Sequence, residues 1–115
     1  MQEQLREFGG IPGFKGAVVF GKDGLIIEQE WADIKDADFL AASLADLINL
    51  VDQIAQARLL RKGFDLLNVE GEDYNFFVKG LDSFTYLAVF LEKKANMGLV
   101  MLELKEKINK LQEVI

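Results

Sequence analysis

The spacing of apolar positions changes several times along this chain, and each change marks an element. Leu5 and Phe8, three apart, suit two turns of helix over Met1–Phe8. Gly9-Gly10-Ile11-Pro12-Gly13, which holds the single proline, then sets this opening apart from the rest. Lys15–Phe20 and Leu25–Glu30 are short runs with β-branched or aromatic residues, joined by Gly21-Lys22-Asp23-Gly24. Asp-Gly suits a turn with positive φ, so a hairpin is predicted. Glu28 and Glu30 charge the second strand in the manner of a sheet edge. Asp38–Leu60 has helical spacing, with Asp36 or Asp38 to cap it and Arg61-Lys62-Gly63 to close it. Phe64–Glu70 and Tyr74–Lys79 flank Gly71-Glu72-Asp73 and predict a second hairpin. Phe84–Leu91 is apolar on both faces, which places it in mid-sheet with helices above and below. The last helix runs from Asn96 or Met97 to Val114, with Met97, Met101, Leu104, Ile108 and Leu111 as its seam. Glu103 with Lys107, and Glu106 with Lys110, form i,i+4 pairs on its outer side. The order predicts one α/β (α+β) domain over residues 1–115, a five-stranded antiparallel sheet with helices on both faces.

The long helix is too apolar around its circumference. Leu40, Leu44, Leu47, Val51 and Ile54 form the centre of a stripe. Ile48, Ala55 and Leu59 widen it on one side, and Phe39, Leu50 and Ala57 on the other. The arc spans roughly 200°, whereas covering one face of a sheet needs little more than ~100°. Either two layers of its own domain bury the helix or it meets a second chain, and in so small a domain a second chain is the better explanation. Asp46, Asn49, Asp52, Gln53 and Gln56 share the remaining polar face.

Composition narrows the chemistry. Hydrophobic residues make up 50% of the chain, enough for a packed core. Nineteen acidic against thirteen basic groups give a net charge of −6, which disfavours binding to nucleic acid. The absence of cysteine and histidine removes disulfides, thiolate zinc sites and the commonest general base. No apolar run approaches bilayer length, so a cytoplasmic protein without membrane insertion is expected.

Gly16-Ala17-Val18-Val19 followed by Lys22-Asp23-Gly24-Leu25-Ile26, then Leu87-Ala88-Val89 and Ala95-Asn96-Met97-Gly98-Leu99, resemble the roadblock, or dynein light-chain roadblock, family over nearly the whole chain. The bacterial and archaeal members are the more similar. The resemblance implies a profilin-like fold and a homodimer in which the long helices pair antiparallel and the third strands join two sheets. It also implies a platform for small Ras-like GTPases that regulates nucleotide turnover or scaffolds, without catalytic residues of its own. On this chain the expected dimer residues are Phe39, Leu50, Ile54, Ala57 and, in the third strand, Leu66. The expected docking residues are Asp46, Asn49, Asp52, Gln53 and Gln56. The alternative is a small-molecule sensor of the same fold, against which the apolar residues suffice to fill the core.

Other candidate chemistry gives way to plainer readings. Gly16–Lys22 spells the phosphate-loop spacing, but Asp23 replaces the Ser or Thr that would hold magnesium, and strand formers fill the interval. Asp33, Asp36 and Asp38, and Glu70, Glu72 and Asp73, are explained by capping and solvation, and no metal or cofactor is expected. Arg58, Arg61 and Lys62 read as cations at a helix C-terminus before they read as arginine fingers. Trp31 is balanced between partner contact and core, whereas Phe39 and Tyr74 are read as packed.

Overall fold

A computed structural model describes residues 1–32, 36–55, 57 and 65–115. The helix α1 (Gln2–Arg6) and a 3₁₀ turn (Glu7–Gly10) lead into β1 (Phe14–Gly21) and β2 (Ile26–Trp31). The long helix α2 (Ala37–Ile54) follows, then β3 (Leu66–Glu70), β4 (Tyr74–Gly80), β5 (Thr85–Glu92) and α3 (Met97–Gln112). All strand pairs are antiparallel, and the order across the sheet is β2-β1-β5-β4-β3. The strand without a polar face, β5, lies in the centre and is buried from Thr85 to Leu91. The charged strand β2 lies at an edge.

Alternation along the strands divides the interior in two. Ala17, Val19, Leu87, Val89 and Leu91 point to one face, where Leu5, Phe8, Val100, Leu104, Ile108 and Leu111 cover them. Val18, Phe20, Val78, Ala88 and Phe90 point to the other, against Ala41, Leu44, Ala45 and Ile48 of α2. One helical layer therefore consists of α1, the 3₁₀ turn and α3, and the other of α2.

The turns form for local reasons. Gly24 takes φ +85, and its amide donates to the Gly21 carbonyl at 2.9 Å. Asp82 Oδ1 accepts from the amides of Phe84 (2.8 Å) and Thr85 (2.7 Å), fixing the approach to β5. The Phe84 amide in particular holds the Asp82 carboxyl below the ordinary aspartate range. Asn96 caps α3, its Oδ1 accepting from Gly98 and Leu99. At the start of α2, Asp36 sits at φ 59 and its side chain accepts no capping bond, contrary to the expected cap. Asp33, and the segment from Arg58 to Phe64 with its three cations and Gly63, lie outside the described residues.

Candidate functional site

The outer surface of α2 is the feature that its own domain does not explain. The helix rests on the sheet through Ala41, Leu44, Ala45, Ile48 and Asp52, not along the stripe of large residues that periodicity selects. At 100° per residue this contact is rolled by roughly 90° from the predicted centre. Small residues explain the roll. A Cβ on Gly24 would lie 3.3 Å from the Ala42 Cα and 3.7 Å from the Ala45 Cβ, so the first hairpin meets the helix through glycine and alanine. Leu44 and Ile48 stay inside, but other large side chains turn outward. Leu40, Leu47 and Val51 are half-buried, while Phe39 is 70% exposed, Leu50 54% and Ile54 50%. Ala57 is exposed as well. Phe39 is therefore not a core residue.

The expected docking residues separate into two groups. Asp46 and Gln53 face outward beside the apolar flank. Asn49 is half-buried, its Nδ2 donating to the Lys22 carbonyl at 3.3 Å. Asp52 is turned inward and pairs with Lys22 at 3.1 Å, its side chain 12% exposed, so it is not a docking residue of the free surface. Lys22 also lies 5.9 Å from the centre of the Tyr86 ring. The Asp52 bond raises the lysine pKa above its usual value, and burial raises that of the Tyr86 phenol. Lys22, the last residue of the false phosphate loop, thus bolts the first hairpin to α2. Gln56 lies outside the described residues.

The expected dimer residues do not all share a face. Leu66 pairs with Lys79 and Leu67 with Val78, and Val78 belongs to the core beneath α2. By alternation Leu67 lies on the α2 side, whereas Leu66 (44% exposed) lies on the α3 side and lines a groove there. Only the backbone edge of β3 is common to both faces. That edge is the outer side of the last strand in the sheet, opposite β2.

Aromatic residues crowd the α2 side near Phe90. The rings of Trp31, Phe76 and Tyr74 lie 6.0, 5.3 and 6.0 Å from that of Phe90. Trp31 crosses β1 where a Cβ on Gly16 would overlap its ring, and its Nε1 donates to Gln29 Oε1 at 2.6 Å. It is half-buried, whereas Tyr74 is 40% exposed despite its expected burial.

Between α3 and the strands β3 and β4 lies a groove of about 480 Å³. The expectation that apolar residues fill the interior holds for the two cores but not for this strip. Among the described residues no three acidic side chains converge as a metal site, and no helix is long and apolar enough to cross a membrane.

Known proteins share this architecture. An uncharacterized protein of Methanocaldococcus jannaschii is 25% identical over 108 residues, covering 94% of this chain and 90% of its own. Myxococcus xanthus MglB superposes with a TM-score of 0.88 at 18% identity, over 98% of this chain and 92% of that one. Acanthamoeba castellanii profilin IA superposes at 0.58 with 15% identity, over 96% and 93% of the two chains. These structural likenesses show the fold, which is profilin-like. The family match is to the Roadblock/LC7 domain over residues 1–91, from α1 through nearly all of the central strand, so this chain belongs to the Roadblock/LC7 family.

Proposed function

We propose that this chain is a homodimeric, non-catalytic regulator or scaffold that binds a small Ras-like GTPase and modulates its nucleotide cycle. The observation that carries the reading is the uncovered apolar flank of α2, where Phe39, Leu50 and Ile54 are each at least half exposed. Covering a large apolar side chain contributes about 1.5–3 kcal/mol, and a twofold axis doubles the count. The antiparallel partner helix covers Phe39, Leu50, Ile54 and Ala57. The β3 edges join the two sheets through their backbones, with Leu67 on the helix side and Leu66 on the other. Asp46 and Gln53 remain at the surface of the paired helices, with Gln56 added from the sequence pattern. This acidic, amide-rich strip suits a basic patch on the GTPase, so association weakens as salt rises.

A tagged copy of the chain, used as bait in the native lysate at low salt, tests the reading. Recovery of a small GTPase whose GTP turnover changes on adding the protein, and loss of that recovery with Asp46→Lys, are the expected results. A bait that retains no GTPase at low salt contradicts it.

A further inference from the structure

On the face opposite α2, the helical layer is one element short. Its core draws on α1, the 3₁₀ turn, α3, β1 and β5, but Phe77 is the sole contribution from β3 and β4. Leu66, Phe77 and Lys79 form the floor of the groove over those two strands, and Met101, Leu102 and Lys105 of α3 form its wall. Packed helices lie about 8–10 Å apart, which is roughly two strand spacings of ~4.8 Å. A helix laid beside α3, which covers β1 and β5, would therefore fall over β4 and β3. The apolar lining is open at both margins, since Leu102 is 71% exposed and Leu66 44%.

Charge identifies the occupant. The groove side of α3 carries Met101, Leu102, Lys105, Asn109 and Gln112, without a carboxylate, while Glu103 and Glu106 fall outside it. Asp65, the acidic residue in the lining, is neutralised by Lys79 at 2.6 Å. Lys105 has no acidic partner among the described residues. In a chain of net charge −6 the lining thus carries one uncompensated charge, the ammonium of Lys105, beside an apolar floor. We propose that this groove receives an amphipathic helix of another polypeptide, apolar on its inner face and acidic on the edge that meets Lys105. All of its lining residues come from one protomer, and its β3 side borders the edge assigned to the dimer.

The test uses the full chain and a fluorescein-labelled synthetic helix with leucine along one face and glutamate along its edges. A second probe carries lysine in place of glutamate. Fluorescence anisotropy is expected to show binding of the glutamate helix to the unsubstituted protein. Leu102→Glu weakens that binding about tenfold or more, and Leu99→Glu, on α3 but outside the groove, leaves it unchanged. Lys105→Glu shifts preference toward the lysine-edged helix. The proposal is overturned if the glutamate helix does not bind, or if it binds the Leu102→Glu and Leu99→Glu proteins equally. A smaller solution mass for Leu102→Glu than for the unsubstituted protein also overturns it, because a second copy then fills the groove.

Discussion

The helices α2 and α3 are of similar length and lie on opposite faces of one sheet, yet they complete their surfaces differently. Helix α3 has a side-chain cap at Asn96, an ion pair between Glu106 and Lys110 at 4.0 Å, and a charged outer side. Helix α2 has no side-chain cap, begins from a left-handed Asp36, and carries Phe39, Leu50 and Ile54 outward. Apart from the exposed Leu99, Met101 and Leu102, α3 is finished for water. The other carries Phe39, Leu50 and Ile54 to its surface, and its inner side is held by Leu44, Ile48, two alanines and the Lys22–Asp52 pair.

That contrast is open to mutation, and the largest effects belong to the buried seams. Leu104→Ala removes a side chain that is 1% exposed and should cost about 2–5 kcal/mol in urea denaturation. Leu99→Ala on the same helix, at a position 59% exposed, should change stability by less than about 0.5 kcal/mol. Equal losses at the two positions would break the assignment of α3's inner and outer sides.

Next comes Leu50→Glu, which places a charge on the flank assigned to the second protomer. Sedimentation equilibrium should report a dimer dissociation constant raised about 100-fold or more, with the secondary structure unchanged. A similar charge at Leu25, 67% exposed at the first hairpin, should leave association intact.

A smaller effect is expected at Lys22. Lys22→Met strips Asp52 of its partner and should cost about 1–2 kcal/mol, toward the low end because the lysine side chain is 33% exposed. The lysine pKa is raised in the folded state, chiefly by the Asp52 bond. Its contribution is thus fully present below the ordinary value of 10.5 and is lost as pH rises through the raised one. Denaturation curves of the two proteins should therefore differ by a constant amount near neutrality and converge in strong alkali. A gap that persists there would mean that packing of the lysine stem, not the ion pair, holds the hairpin to α2.

The smallest effects separate the two helix starts. Asn96→Ala should lower stability by about 1 kcal/mol, because two amides lose their acceptor. Asp36→Gly should raise it by a few tenths to about 1 kcal/mol, since glycine adopts positive φ without strain. The same sign at both sites would show that α2 and α3 begin alike.

Much of the architecture was legible because period two is unforgiving. The unbroken apolar run in β5, the Asp23-Gly24 turn and the charged β2 edge each allow few arrangements, and the structure has them. The roll of α2 was not legible. Periodicity weighs large side chains, whereas the close contact between α2 and the first hairpin is made by Gly24, Ala42 and Ala45, which carry little weight in such a pattern. Asp52 looked like part of a polar face because its partner lies 30 residues away, in a motif that resembled a phosphate loop. The face of the sheet that Leu66 occupies was not legible either, because it depends on strand parity, which the pairing with Lys79 fixes. The groove beside α3 is assembled from three elements, and no single stretch of sequence carries its signature.

The central claim is that a second copy covers the outer flank of α2. Static light scattering of the unsubstituted protein at micromolar concentration tests it most directly. The account predicts twice the 12.9 kDa of one chain, falling to the single-chain mass with Leu50→Glu. A mass of one chain for the unsubstituted protein would contradict it.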